Sequence, residues 1–384
     1  PNSPPLMQVV TGGSSPFRLN LHVGAVGHTL IFGPTGAGKS TLLATLAAQV
    51  QRYKGMRVYS FDKGRSLEAL TKACNGSHFS IGDRDTDSLQ FAPLQLIKDP
   101  QNHAWAASWI ESILELNEVS LTPQRRNEIE AAIRNNASEK SYSLSDFSNT
   151  IQDQEVREAL KSYTIDGSMG YLLDAESDNL ELSTFSCFEI EELMNLPDKF
   201  RLPIMFYLFR RIELSLTGDP AFMFLDEAWI MLGHELFKEK IKEWLKVFRK
   251  KNCAVVMATQ SLSDASKSGI LDVLNESCLT KIYLPNPFAR EEDAAILYKR
   301  MGLNARQIEI IATAIPKRQY YYVSPQGRRL FELALQPLAL SFVAISDPDT
   351  LKLIHKFIDQ YGDGWPREWL RYRGINLNNY VNLH

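Results

Sequence analysis

Gly33-Pro34-Thr35-Gly36-Ala37-Gly38-Lys39-Ser40 is the stretch from which the fold of this chain is predicted. It matches the pattern GxxxxGK(S/T) at every position, and it lies between an apolar strand pattern at residues 29–32 and a helical pattern at residues 41–53. Its glycines allow successive backbone N–H groups to converge on phosphate oxygens, and the N-terminus of the helix adds its dipole. The stretch therefore predicts a phosphate-binding loop. A flexible glycine turn is disfavoured because both flanks fit the motif.

This loop supplies the predicted contacts to a nucleotide, which we expect to be ATP with Mg²⁺. Lys39 is expected to bridge the terminal phosphates during catalysis, and the Ser40 hydroxyl is expected to be a metal ligand. The predicted nucleotide-contacting residues are Gly33, Pro34, Thr35, Gly36, Ala37, Gly38, Lys39, Ser40 and Thr41.

A second motif is an apolar strand that ends in two acids. Residues 222–225 run directly into Asp226 and Glu227, as in a Walker B strand. Asp226 is predicted to hold Mg²⁺ through water, and Glu227 to polarise the attacking water as general base. Taken alone, such a pair is as readily explained as a helix N-cap with a favourable dipole contact. The complete phosphate-binding loop favours the catalytic interpretation.

Three further residues are candidates for a catalytic role. Gln260 follows the apolar run at residues 254–258, and its amide is predicted to sense the γ-phosphate; the alternative is a polar loop residue. Phosphoryl transfer commonly uses a cation beyond the loop lysine, often an arginine from a neighbouring subunit. Arg249 and Arg318 lie in basic clusters and are the candidates, although solvated surface charge is the simpler explanation for either.

Two more acids lie at the ends of candidate strands. Asp62 follows the run at residues 56–61, and Glu189 follows Cys187 and Phe188. Each either contacts nucleotide or orders a loop, and the structural role is the favoured interpretation.

Strand and helix patterns alternate along much of the chain. The runs at residues 29–32 and 56–61 flank a helical pattern, which forms a βαβ unit and predicts parallel strands. Further candidate strands, most of them continuous apolar runs of the kind that is buried on both faces of a sheet, are residues 222–225, 254–258, 281–284 and 341–345. The sequence therefore predicts a doubly wound α/β core with a mostly parallel sheet.

One segment has a different pattern. From about residue 99 to residue 171 the sequence is amphipathic and helical, with Ser, Thr or Pro at the helix starts, so an all-α insertion is predicted. Residues 17–98 and 172–384 are assigned to the core, with a helical tail from about residue 351. Residues 1–16, rich in Pro, Gly and Ser and without an initial Met, are expected to be a linker left from an upstream domain.

Composition excludes several classes of function. Lys+Arg of 42 against Asp+Glu of 45 gives a net charge of −3, so no overall basic field indicates a nucleic-acid partner. The cysteines form no CxxC pair and the histidines no HxxxH or HExxH spacing, which argues against a zinc site. Apolar runs fall short of the roughly 20 residues that span a bilayer, and no signal peptide is present, so a cytoplasmic location is expected.

The motifs together resemble the conjugative-transfer ATPases of bacterial type IV secretion, the CagE/TrbE/VirB family, and its TrbE-like members in particular. The match covers the chain from residue 17 to about residue 346. Position 64 differs, because the family more often has Asp-Lys-Asp-Arg where this chain has Asp62-Lys63-Gly64-Arg65, so no role is transferred to Gly64. The residues that carry the resemblance are 27–40, 61–65, 207–209, 224–229, 249–261 and 284–287.

The resemblance implies a RecA-like P-loop NTPase core, related to the FtsK/HerA ATPases, with an all-α insertion and a hexameric assembly. It implies ATP hydrolysis that energises assembly of a type IV secretion apparatus or transport through it. Expected partners are further copies of the chain, sibling ATPases and inner-membrane channel proteins, with DNA as a further candidate. Full-length members have an N-terminal domain that meets the inner-membrane channel, which implies a peripheral position at that membrane.

Two other functions remain open from the sequence. One is a DNA-translocating, coupling-type ATPase, which would need a basic loop facing the pore of a ring. The other is a nucleotide-gated assembly scaffold with little turnover. The intact set of Lys39, Asp226, Glu227 and Gln260 argues against the scaffold.

Overall fold

The computed structural model describes residues 4–83, 89–227, 233–260, 263, 266, 269–343 and 345–380. Ala228, Trp229 and Ser261, which contribute to the family resemblance, lie outside this set. The described residues belong to two compact units: one comprises residues 1–78, 183–189 and 216–384, and the other comprises residues 79–182 and 190–215. We call them the sheet unit and the helical unit.

Eleven strands of the described residues form one sheet, in the order β2-β1-β11-β10-β9-β3-β8-β7-β4-β6-β5. The strands are β1 Met7–Thr11, β2 Pro16–Leu19, β3 Thr29–Phe32, β4 Arg57–Asp62, β5 Ser77–Ser80, β6 Phe185–Glu189, β7 Ala221–Leu225, β8 Cys253–Thr259, β9 Thr280–Tyr283, β10 Gln319–Ser324 and β11 Gly327–Glu332. Neighbours from β9 to β6 pair in parallel, whereas β2, β1, β11, β10 and β9 pair antiparallel. The predicted α/β core with a mostly parallel sheet is confirmed.

Along the chain, the helices of the sheet unit lie between its strands or after the last strand. They are α1 Lys39–Val50, α2 Glu68–Ala73, α10 Glu235–Lys250, α11 Leu271–Ser277, α12 Glu292–Arg300, α13 Ala305–Thr313, α14 Pro337–Val343, α15 Pro348–Tyr361 and α16 Trp365–Tyr372. Helix α1 is buried on most of its surface, as its run of Leu and Ala requires. Helix α10 instead buries one stripe, including Ile241, Leu245 and Phe248, and its exposed residues include Lys242, Lys246 and Lys250.

The helical unit contains α3 His103–Leu116, α4 Pro123–Glu139, α5 Leu144–Thr150, α6 Gln154–Leu160, α7 Gly170–Leu173, α8 Glu191–Met194 and α9 Asp198–Ser215. Side-chain caps begin several of them: Thr122 accepts the N–H of Arg125, and Ser143 accepts the N–H of Asp146. The unit is wider than the expected insertion at residues 99–171. Helix α9 belongs to it because the indole of Trp109 donates to the carbonyl oxygen of Pro203 over 2.9 Å.

Two segments differ from the sequence-based expectation. Residues 1–16 were expected to be a linker, but Met7–Thr11 forms β1, which pairs with β2 and β11 and buries Met7 and Val9. Residues 341–345 were expected to be a strand, but α14 ends at Val343. Ser341 donates to the carbonyl oxygen of Pro337, one helical turn earlier. A short apolar run fits a strand and a buried helix equally well, so its pattern did not distinguish them.

Strand register places the ends of four parallel strands at one edge. Phe32 lies opposite Thr259, and Phe61 lies opposite Leu225. The residues that follow these strands are therefore neighbours, and this edge carries the predicted site. Among the described residues, every helix is too short or too polar to span a bilayer.

Candidate nucleotide-binding site

The phosphate-binding loop connects β3 to α1 and is built on close backbone approach. Gly36 and Gly38 have φ of 79° and 103°, a region that side chains other than glycine rarely adopt. A Cβ atom on Gly38 would also lie 2.6 Å from the Tyr320 hydroxyl and 3.0 Å from Cα of Lys317. The backbone angles of Gly36 and Gly38, and the close approach at Gly38, therefore make glycine necessary for the fold of the loop.

The loop is anchored to the rest of the sheet unit by backbone hydrogen bonds. The N–H of Gly33 donates to the carbonyl oxygen of Thr259 over 3.1 Å, which fixes the loop to the end of β8. On the other side, the N–H of Lys317 donates to the carbonyl oxygen of Ala37 over 3.0 Å. This second anchor was not predicted, because nothing in the local sequence around Lys317 indicates that it is a partner of the loop.

Lys39 lies against the two acids that end β7. Its ammonium nitrogen is 3.0 Å from Oδ1 of Asp226 and also donates to Oε1 of Glu227. All three residues are at least nine-tenths buried. Burial raises the pKa of Asp226, and the nearby Lys39 opposes that shift. One lysine thus faces two buried carboxyl groups.

The backbone of Glu227 is strained. Its φ is 55°, in the left-handed region that a glutamate seldom adopts, and such strain costs on the order of 1–3 kcal/mol. Its N–H donates to Oδ1 of Asp226 over 3.1 Å. Because strained residues persist only where their surroundings hold them, the position of this carboxylate is imposed by the site.

Gln260 completes the cluster at the end of β8. Its amide nitrogen donates to Oε1 of Glu227, and its amide oxygen accepts a hydrogen bond from the Thr35 hydroxyl. The structure therefore brings together Lys39, Asp226, Glu227 and Gln260, as the sequence predicted for a shared site, while their roles stay predictions. Ser40 and Thr41 are the second and third residues of α1, directly after Lys39.

The two candidate arginines are not brought to this cluster. Arg249 is exposed at the end of α10, which leads into the amino end of β8, whereas Gln260 follows its carboxyl end. A strand of that length spans roughly 20 Å. The Arg318 guanidinium pairs with Glu332, with Nη2 to Oε2 at 2.8 Å. Either role in catalysis would have to come from another copy of the chain or from a rearrangement.

Asp62 and Glu189 hold a loop at the same edge. Asp62 accepts the Ser66 hydroxyl at 2.6 Å and the N–H of Leu67 at 2.7 Å, and Glu189 accepts the N–H groups of Gly64 at 3.1 Å and Arg65 at 2.6 Å. Burial, followed by the charge of Glu189, raises the pKa of Asp62 to about 7. These contacts support the structural role that the sequence favoured for both acids.

A cavity of about 280 Å³ opens beside the phosphate-binding loop. Pro34 of the loop and Gln260 of the cluster line it, together with Asn286 and Tyr298, which are joined by a hydrogen bond of 3.1 Å. This volume lies just below the roughly 300–1,000 Å³ of pockets that enclose a whole drug-sized ligand. The cavity is therefore too small to enclose a whole ligand of that size.

The donor set of the cluster fits a hard divalent cation. Carboxylate and hydroxyl oxygens are the ligands that Mg²⁺ prefers, and Asp226 and Ser40 supply one of each. Lys39 offsets only one of the two buried carboxylate charges, so added positive charge would be stabilised here.

The glycine loop after one buried strand and the acid pair after another define the protein as a P-loop NTPase. The family model described as the TraG P-loop domain matches residues 127–312. The chain is 56% identical to the conjugal transfer protein TrbE of Rhizobium radiobacter, over 98% of this chain and 46% of that protein. It spans about half the length of this relative.

Solved structures share the fold. VirB4 of Thermoanaerobacter pseudethanolicus matches with a TM-score of 0.72 at 15% identity, over 88% of this chain and 99% of that one. The plasmid coupling protein TrwB in complex with ADP and Mg²⁺ matches with a TM-score of 0.54 at 16% identity, over 86% of this chain and 94% of that one. Over 98% of its length the chain is thus similar to the TrbE conjugal transfer protein, and it shares the fold of the VirB4 and TrwB structures.

Proposed function

We propose that this chain is the motor domain of a type IV secretion ATPase. It hydrolyses Mg-ATP and uses the energy to assemble a conjugation apparatus or to move substrate through it. The observation that carries the proposal is the contact of Lys39 with both Asp226 and Glu227, next to a phosphate-binding loop. A site that only binds nucleotide needs the loop and the lysine, but it has no need of a second, strained carboxylate held beside them.

Lys39 is paired with both Asp226 and Glu227 and offsets one of their two charges. Phosphate oxygens on the loop compete with these acids for the Lys39 ammonium group, because a polyphosphate carries more negative charge than a carboxylate. Once Lys39 bridges the phosphates, the carboxylate of Glu227 is available to polarise a water molecule and accept its proton. Ser40 and Asp226 would hold Mg²⁺, which neutralises charge that develops between the β- and γ-phosphates.

We also propose that the working form is a homo-oligomer, a hexamer, in which an arginine of a neighbouring copy reaches the phosphates. Lys39 contacts both acids of the pair, and phosphoryl transfer commonly uses a further cation from a neighbouring subunit. Arg249 is exposed and remote from Gln260 of its own chain, which favours a role towards a neighbour. Arg318 is the second choice, since it must first leave Glu332.

Mixing experiments test this arrangement. Glu227→Gln copies keep the arginine, and Arg249→Ala copies keep the base, so mixed oligomers contain some complete sites. ATP turnover by the mixture should exceed that of either variant alone, whereas Arg134→Ala, at an exposed arginine of the helical unit, should need no rescue. If neither Arg249→Ala nor Arg318→Ala is rescued, and hydrolysis per chain does not depend on protein concentration, the site is self-contained.

The helical unit is proposed to be an insertion in the sheet core. The chain leaves the sheet after β5, returns for β6, and leaves again until β7. The whole protein is proposed to lie on the cytoplasmic side of the bacterial inner membrane. There it is proposed to contact sibling ATPases and channel components of the secretion system.

A further inference from the structure

Thr35 occupies a position in the phosphate-binding loop whose side chain the motif does not specify. In the structure its hydroxyl donates to the amide oxygen of Gln260, a residue 225 positions away in the chain. We infer that Thr35 is a positioning residue for hydrolysis: its hydroxyl fixes the Gln260 amide in the orientation that donates to Glu227. This inference rests on the proposed function, because it assigns Glu227 as the base.

The direction of each hydrogen bond supports the inference. A primary amide has a donating nitrogen and an accepting oxygen of almost the same shape, so only its partners determine which way it points. The Glu227 carboxylate only accepts, so the nitrogen of Gln260 faces its Oε1, and the Thr35 hydroxyl holds the amide oxygen at the other end. In the flipped orientation the amide oxygen would face a carboxylate oxygen, which is repulsive.

Backbone geometry explains why these side chains meet. The N–H of Gly33 is bonded to the carbonyl oxygen of Thr259, so the loop and the end of β8 are joined just before the two side chains. Thr35 follows two residues after one end of this bond, and Gln260 follows immediately after the other. A shift of the loop around a phosphate should therefore also shift the Gln260 amide.

The hydrogen bond between Thr35 and Gln260 matters for hydrolysis once Lys39 has turned from Glu227 to the phosphates. Oε1 of Glu227 accepts hydrogen bonds from both Lys39 and Gln260. When Lys39 turns to the phosphates, Gln260 is the member of this pair of donors that stays and orients the carboxylate. Loss of the Thr35 hydroxyl should then slow the chemical step and leave nucleotide affinity almost unchanged, because the loop backbone and Lys39 provide the phosphate contacts.

The test uses Thr35→Val, which keeps the shape and removes the hydroxyl, with Thr35→Ser as the variant that retains the hydroxyl. Thr35→Val should lower kcat about 10-fold, the effect of one net hydrogen bond, while the Kd for a non-hydrolysable ATP analogue changes less than about 2-fold. Thr35→Ser should recover most of the loss. In the Gln260→Ala background, Thr35→Val should cause no further loss, because it acts through that amide.

Two results would overturn the inference: losses of kcat that multiply in the double variant, or an equal loss of analogue affinity in Thr35→Val. A second measurement does not depend on turnover. In the nucleotide-free chain, the fall in Tm of Thr35→Val with Gln260→Ala should be smaller than the sum of the single falls; strictly additive falls would show that the side chains do not interact. If the unmodified protein has no ATPase activity, the proposed function fails, and this Tm cycle still decides whether Thr35 positions Gln260.

Discussion

Two pairs of buried acids lie at the same edge of the sheet and are satisfied in opposite ways. Asp226 and Glu227, the site pair, contact side chains from distant parts of the chain, Lys39 and Gln260. Asp62 and Glu189, the brace pair, accept hydrogen bonds from the loop that directly follows β4. A ligand can compete for a mobile lysine, but it cannot replace backbone N–H groups without unfolding that loop.

This difference distinguishes the proposed catalytic acids of the site pair from the structural acids of the brace pair. Burial raises the pKa of Asp226 and of Asp62 alike, so burial alone does not identify a catalytic acid. What distinguishes the site pair is a charged partner that phosphate can attract away. The following substitutions should therefore affect hydrolysis in one pair and stability in the other.

The largest effect is expected from Glu227→Gln. The amide cannot accept a proton from water, so ATP hydrolysis should fall about 10³-fold, within the usual contribution of a general base. Mg-ATP binding should be retained because Asp226 and Ser40 remain, and equilibrium binding of ATP alongside turnover checks both parts. An equal loss of affinity would indicate that Glu227 is a metal ligand or a structural residue.

Lys39→Ala comes next. It removes the ammonium group that is expected to bridge the terminal phosphates, so turnover should fall on the order of 10²-fold or more. Thermal unfolding of the same preparation provides the control that the variant is folded. Hydrolysis close to that of the unmodified chain would disprove the assignment of the loop.

The third prediction concerns the pH dependence of Asp62. Its pKa of about 7 in the folded chain lies above the ordinary aspartate value of 3.8, so between these values the folded state holds a proton that the unfolded state has lost. The free energy of unfolding should therefore decrease as pH rises from about 4 to about 7, and the contribution should be constant above that range. The Asp62→Asn variant has no carboxyl group at this position, so it lacks this pH-dependent contribution.

Urea unfolding of both proteins at pH 5 and pH 8 measures this contribution. The stability of Asp62→Asn relative to the unmodified chain should rise by on the order of 2 to 3 kcal/mol between these values, because the other titrating groups cancel in the difference. Parallel pH profiles for the two proteins would show that the Asp62 carboxyl is not protonated in the folded state.

The smallest effect is expected from Glu189→Gln, the brace-pair counterpart of Glu227→Gln. An amide has one accepting oxygen, so it cannot accept both the Gly64 and the Arg65 N–H groups as the carboxylate does. The free energy of unfolding should fall by about 1 to 2 kcal/mol, measured by urea unfolding, with turnover per folded chain within about 3-fold. A loss of turnover as large as that of Glu227→Gln would remove the distinction between the pairs.

Much of the site could be predicted from sequence because its signals are local. The glycine loop lies between a strand and a helix that can each be recognised from a few residues, and the acid pair directly follows a run of apolar residues. Parallel strands then bring their carboxyl ends together whatever the rest of the chain does. This is why Lys39, Asp226, Glu227 and Gln260 were expected at one edge, and the structure places them in contact.

Contacts between distant segments depend on register and packing, which no local pattern records. Thr35 meets Gln260 because Gly33 is bonded to Thr259, and Lys317 meets Ala37 because β10 returns beside the loop. The same applies to β1, whose short strand is stabilised by pairing with β11 some 320 residues later. The sequence by itself determined the class of site and its main residues, since these follow from spacing within single elements. Only the tertiary structure decided which side chains orient them, since those hydrogen bonds form only once the sheet has assembled.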